Sequence, residues 1–155
     1  MTDLEPCDEA FFDTAPVRFV DAMELAAPAE QVWAGLTADR PLSWCRAITS
    51  ARWTSPRPFG VGTTRSVKVA GLLRLRERYF RWEEGTRMSF SVESTNLPAF
   101  RRFGEDYLVE PFSETRSRFT WVIAWEPLPL GRLGTPVNGL LMRSLFSDTR
   151  RHFGT

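Results

Sequence analysis

Carboxylates and arginines on the apolar side of a strand either do chemistry or must pay for their burial, and this chain carries several. In "TTRSVKVAGLLRLRERYFRWEEG" (63–85) the second half alternates, with Leu73, Leu75, Glu77 and Tyr79 on one face and Arg74, Arg76, Arg78 and Phe80 on the other. The leucine face points to a core, so Glu77 points there too. An isolated buried carboxylate costs several kcal/mol, so Glu77 needs a partner or a proton. A turn at Ala70-Gly71 sets a register that places Arg65 opposite residue 76 or 77, and arginine can grip a carboxylate through two parallel hydrogen bonds. Farther on, Glu105 and Tyr107 share one face with Phe103 and Val109. Two chemistries suit such a set. Arg65–Glu77 can be an ion pair that fixes register, with Glu105 at a cavity mouth. Alternatively the pair and the tyrosines orient the polar head of an apolar ligand. A catalytic version uses Glu77 or Glu105 as a general base of raised pKa, with a tyrosine or Arg65 steadying an enolate oxygen.

Other chemistries lack their residues. The only histidine, His152, lies near the end of the chain, where an exposed place at a helix C-terminus is expected, so a Ser-His-Asp triad or a two-histidine metal site has little to build on. Cys7 and Cys45 have no metal-ligand spacing and suit a reducing cytoplasm. Neither GxGxxG nor GxxxxGK[ST] occurs, so no cofactor and no metal is expected, and catalytic residues stay unassigned. Net charge is +1, and acids interleave with the arginines (Arg76-Glu77-Arg78; Arg102 near Glu105 and Asp106), the pattern of a solvated sheet face without a nucleic-acid partner. The opening MTDLEPCDEA is acidic and unlike a signal peptide, and no apolar run approaches the ~18 residues of a membrane span. A cytoplasmic protein with no membrane insertion is expected.

These residues need elements to hold them. Residues 1–16 form an acidic arm around Phe11-Phe12, and 17–155 form one domain. Val17 to Leu25 alternates as a strand. Pro28 then opens a helix that places Ala29, Val32, Trp33 and Leu36 on one face, Pro41 ends it, and a second short helical turn carries Leu42 and Trp44. Strands follow at 47–54, 63–69, 72–83, 86–95, 101–111 and 116–126, divided by turn residues whose brevity implies antiparallel pairing. In "GTPVNGLLMRSLFSDTRRHF" the period changes. Thr135 suits a cap and Pro136 a first turn, while Val137, Leu140, Leu141, Ser144, Leu145 and Asp148 repeat at three and four.

That order gives an α+β fold: a seven-stranded curved antiparallel sheet, two short helices, and a long C-terminal helix laid over the concave face with a cavity between. The phrases "APAEQVWAGLTADRPLSWC", "RPFGVGTTRSV", "RERYFRWEEGTRMSFSVES" and "EDYLVEPFSETRSRFTWVIAWEP" resemble the START-like (SRPBCC) superfamily, in particular its bacterial polyketide cyclase/dehydrase-like members. The resemblance covers about residues 17–154 and implies the helix-grip fold. Since that superfamily includes lipid carriers, polyketide cyclases and interaction modules, it implies three functions. These are binding of an apolar or aromatic, lipid- or polyketide-like molecule; a cyclase, aromatase or dehydratase activity; and a regulatory interaction module with a vestigial cavity.

Alternation supplies the ligand-binding candidates: Arg65, Glu77, Tyr79, Phe90, Phe103, Glu105, Tyr107, Trp121 and Trp125 from the sheet, with Leu141 and Leu145 from the helix. The same faces carry Val67, Val69, Leu73, Leu75, Met88, Val92, Val109, Phe119 and Ile123, while Val137, Ser144 and Asp148 join them from the helix. Trp33 and Trp44 suit the core, Trp121 and Trp125 suit core or lining, and Trp53, before the loop "SPRPFGVG", suits an entrance.

Overall fold

Alternation of apolar and polar side chains produces β2 (Val17–Leu25), β3 (Ile48–Trp53), β4 (Thr64–Val69), β5 (Leu73–Glu83), β6 (Arg87–Thr95), β7 (Phe100–Pro111) and β8 (Ser117–Pro127). They pair antiparallel in the order β2-β8-β7-β6-β5-β4-β3, and a two-residue β1 (Thr2–Asp3) pairs with β6. This computed structural model describes residues 1–155 except Gly134 and the side chains of Thr135 and Pro136, so the cap expected at Thr135 and the role of Pro136 lie outside the described residues. The β4–β5 hairpin turns at Ala70 and Gly71, both at positive φ (52° and 67°), as tight hairpin turns require. Bulges in the β5–β6 pairing, between Arg76 and Glu77 and between Tyr79 and Arg81, bend the sheet.

The concave face is covered by α2 (Ala29–Leu36) and α4 (Thr135–Phe153). Pro28, extended at ψ 153°, is the N-cap of α2 rather than a member of its first turn, and Val32, Trp33 and Leu36 are its buried face. The second short helix expected at Leu42–Trp44 is instead a turn: Leu42 is buried at φ 58°, in the left-handed region, where a helix cannot continue. Short helices occur elsewhere, at α1 (Phe11–Thr14) and α3 (Pro129–Arg132).

The two halves of α4 are held differently. In the C-terminal half, Arg150 grips Asp21 with both terminal nitrogens (2.6 and 2.5 Å). Trp44 Nε1 donates to Thr149 Oγ1 (3.0 Å), and Leu145, Phe146 and Phe153 are buried. In the N-terminal half, Val137 and Leu140 are 66% and 67% exposed. Each fully buried large apolar side chain stabilises by about 1.5–3 kcal/mol, so most of the docking energy sits beyond residue 141.

On the outer face a second apolar cluster joins Cys7, Phe11 and Phe12 to Val122 and Ala124. Beyond Ser91↔Gly104 the strands β6 and β7 no longer pair. The N-terminal segment enters that split: Thr2 and Asp3 pair with Thr95 and Ser94, Leu4 N donates to Glu93 O, and Glu5 N donates to Arg101 O (2.9 Å each). A Cβ at Gly104 would stand 2.8 Å from Phe90 O and 3.1 Å from Cys7 Sγ, so glycine is what lets this segment approach.

Candidate functional site

Between the sheet and α4 lies a cavity of about 60 Å³. The sheet contributes Arg65, Val67, Val69, Leu73, Leu75, Glu77, Phe103, Glu105, Tyr107, Trp121 and Trp125, and α4 contributes Asn138, Leu141, Met142 and Leu145. Leu42, Ile48 and Phe100 complete the wall. Most of these are apolar or aromatic. The polar groups gather at the sheet.

The register places Arg65 opposite Glu77, and Arg65 Nε donates to Glu77 Oε2 at 2.5 Å with both side chains almost wholly buried. Arg65 Nη2 donates to Tyr107 Oη (3.3 Å), and Tyr107 Oη donates to Glu105 Oε2 (3.0 Å). The same oxygen accepts from Trp121 Nε1 (2.8 Å). A continuous chain of hydrogen bonds therefore runs Glu77–Arg65–Tyr107–Glu105–Trp121. Among the described residues, Arg65 Nη1 and Tyr79 Oη have no hydrogen-bond partner. The guanidinium carbon lies 5.2, 5.5 and 5.6 Å from the ring centres of Phe90, Trp53 and Tyr79, so aromatic faces receive the rest of its charge.

One cation among two carboxylates decides their charge states. Burial pushes the Glu77 carboxyl up, against the pull of the guanidinium it touches. Burial works to lower the Arg65 pKa, yet Glu77 and the two tyrosines hold it well above its ordinary value, and at 2.5 Å the pair is ionic. Glu105 is the residue left over. Burial first, and then the charge of Glu77, push it up to about 7, opposed by the Trp121 bond, Arg65 and the Tyr107 bond. At neutral pH it can therefore give or take a proton inside an apolar cavity. Burial raises both Tyr79 and Tyr107 above the ordinary phenol, so both stay neutral.

The structure brings Arg65, Glu77, Phe103, Glu105, Tyr107, Trp121, Trp125, Leu141 and Leu145 together around the cavity. Tyr79 and Phe90 do not line it. They are fully buried beneath Arg65, part of its aromatic surround. Met88, Val92, Val109, Phe119 and Ile123 are likewise packed core. On α4 the inward stripe is Asn138, Leu141, Met142 and Leu145, so Val137 faces solvent and Ser144 is off the wall. Asp148 is buried away from the cavity and accepts from Arg46 N (2.9 Å) and the Arg46 guanidinium. Trp53 does not line the cavity: its Nε1 donates to Ala38 O (2.8 Å) and its ring packs on Phe59. Trp33 is buried, and Trp44, which is half-buried, stacks on His152. Sequence reasoning missed Leu42, Ile48, Phe100, Asn138 and Met142. Only Met142 carried a signal, one position along from Leu141 on the helix.

Among the described residues no group of His, Cys, Asp and Glu is arranged to hold a metal ion, and no helix is long and apolar enough to cross a membrane. The chain is 33% identical to an uncharacterized protein of Mycobacterium tuberculosis, over 95% of this chain and 92% of the relative. Its structure is similar to that of a START superfamily protein from Mycobacterium smegmatis, with a TM-score of 0.71 and 13% identity over 88% of this chain and 96% of the other. It is also similar to the Zhui aromatase/cyclase from a Streptomyces species, with a TM-score of 0.65 and 13% identity over 87% and 94%. At such identities the likeness is one of fold, the helix-grip arrangement. Residues 16–152 match the family described as polyketide cyclase / dehydrase and lipid transport, and the chain belongs to that family.

Proposed function

We propose that this protein binds an apolar or aromatic small molecule, lipid- or polyketide-like, between the sheet and α4, with a hydroxyl, carbonyl or carboxyl end of the molecule on the Glu105–Tyr107 end of the polar chain. The observation that carries this reading is an apolar cavity whose polar groups are hydrogen-bonded to one another at one wall. Ligand cavities for such molecules run to about 300–1,000 Å³, far above the 60 Å³ here, so binding requires the wall to move. The part able to move is the N-terminal half of α4, which carries Asn138, Leu141 and Met142 on the wall while Val137 and Leu140 are exposed. Two buried, unpaired cysteines support a reducing, cytoplasmic setting.

The test is thermal unfolding and calorimetry with 2-naphthol, a flavone and dodecanoic acid, on the native protein and on Leu145→Trp, which fills the cavity. A ligand at 100 times its Kd stabilises by about 2.7 kcal/mol. Stabilisation of the native protein but not of the tryptophan variant is expected. If no probe stabilises the native protein, or the two respond alike, the cavity is not a binding site. A second reading, acid–base catalysis on the bound molecule, is favoured by one observation: Glu105, poised at about 7, stands beside a phenol. In that case Glu105→Gln retains binding and loses turnover.

A further inference from the structure

The outer face of β3–β4–β5 carries charge that its sequence conceals. Along the chain, acids alternate with the arginines, as in Arg76-Glu77-Arg78. Folding separates them, because Glu77 turns inward to Arg65 and leaves the arginines outside without it. The register sets Lys68 directly opposite Arg74, and sets Arg52 and Arg76 on either side of Ser66. Among the described residues none of these four cations has an ion-pair partner, whereas Arg78, next along β5, is paired with Glu93. Like charges placed opposite each other across strands destabilise a sheet, so this arrangement has a cost that an anionic partner would relieve. A surface groove of about 370 Å³ runs between Arg52, Lys68, Arg74 and Arg76.

We propose that this cationic groove docks an acidic segment of a partner protein in extended form. The patch spans three strands, about 10 Å, and Arg74 and Arg76 are about 7 Å apart along β5, the spacing of alternate side chains in an extended chain. The same sheet face already holds a segment of that kind. The acidic N-terminal stretch runs along the adjoining strands, adding Thr2 and Asp3 to β6 and placing Glu5 on Arg101 and Glu9 on Arg81. A duplex nucleic acid suits the patch less well, since specific complexes neutralise about 6–10 phosphates and four cations fall short. A bilayer also suits it less well, because Ser50 and Ser66 stand between the cations, Val67 and Leu75 are buried, and of the groove's apolar lining only Met1 is exposed among the described residues.

The probe is a fluorescein-labelled ten-residue peptide alternating serine with aspartate or glutamate, with its asparagine/glutamine counterpart, a ten-nucleotide oligothymidylate and phosphatidylglycerol vesicles as comparisons. Anisotropy at low ionic strength should show binding of the acidic peptide alone. Binding should weaken at least tenfold in Arg74→Glu/Arg76→Glu and fall with added salt. Amide shift changes should map to β3–β5. If the double reversal does not fold, Arg52→Gln/Lys68→Gln should weaken the peptide at least threefold. Absence of binding, indifference to both variants, or tighter binding of the oligonucleotide or vesicles would overturn the proposal. This groove lies on the face opposite the cavity, so the result does not depend on what the cavity binds.

Discussion

Replacing Glu77 by glutamine keeps the shape of the side chain and removes its charge. The amide oxygen can still accept from Arg65 Nε, so the loss measured is that of the charge alone. Arg65 is 1% exposed, lies between aromatic rings and, among the described residues, has no other acid bonded to it. A buried charge stripped of its partner costs about 3–5 kcal/mol, whereas replacing both members by apolar residues is often neutral or stabilising. Urea unfolding should therefore show Glu77→Gln losing about 4 kcal/mol, a midpoint shift on the order of 2 M. Arg65→Met/Glu77→Leu should lie within about 1 kcal/mol of the native protein. The charge of Glu77 is also one of the groups that raise Glu105, so in Glu77→Gln the Glu105 titration, followed by carboxyl NMR, should move down from about 7. A loss below about 1 kcal/mol for the single variant would refute the reasoning, because it would mean that Arg65 never depended on that charge.

Three further outcomes are expected. Glu105 titrates near 7 in the folded protein and near its ordinary 4.5 when unfolded, so its contribution is complete below pH 4 and is lost as pH rises to about 7. The loss amounts to up to about 3 kcal/mol, and Glu105→Gln should flatten the stability profile between pH 4.5 and 7 relative to the native protein. Gly104→Ala forces a methyl to 2.8 Å from Phe90 O and against Cys7, and should lose about 1–3 kcal/mol in denaturant melts. Asp148→Asn leaves Arg46 N and the Arg46 guanidinium facing a neutral amide, and a loss of about 1–3 kcal/mol by calorimetry is expected.

The order of elements was legible because each strand alternates and each break carries turn chemistry. The pairing of Arg65 with Glu77 was legible for the same reason, since a turn at Ala70 and Gly71 puts residue 76 or 77 across from Arg65 and alternation puts Glu77 on its face. What alternation cannot supply is depth. Tyr79 and Phe90 point inward as expected, yet they lie under Arg65 rather than on the cavity wall, because the guanidinium occupies the space above them. Helix phase failed at its margin: a stripe begun at Val137 is off by one residue, and Asn138, a polar residue, takes the wall position. The outer face misled in two directions. Ser89, Ser91 and Asp106 are buried there, with the N-terminal segment donating from Cys7 N to Ser91 Oγ, whereas Glu77, which stands between Arg76 and Arg78 in the chain, faces inside. Neither the docking position of a terminal segment nor the side of a sheet on which a charge is balanced leaves a periodic trace.

The seam between β6 and β7 has a practical consequence. Where those strands part, the amides of Leu4 and Glu5 bond to one strand each, so the first residues act as a stitch across the sheet rather than as a loose tail. Trimming residues 1–5 would leave the Glu93 and Arg101 carbonyls without these donors, and trimming through Phe12 would also uncover the apolar patch at Val122 and Ala124. A melting temperature lowered by removal of residues 1–5 would be the signature of the opened seam.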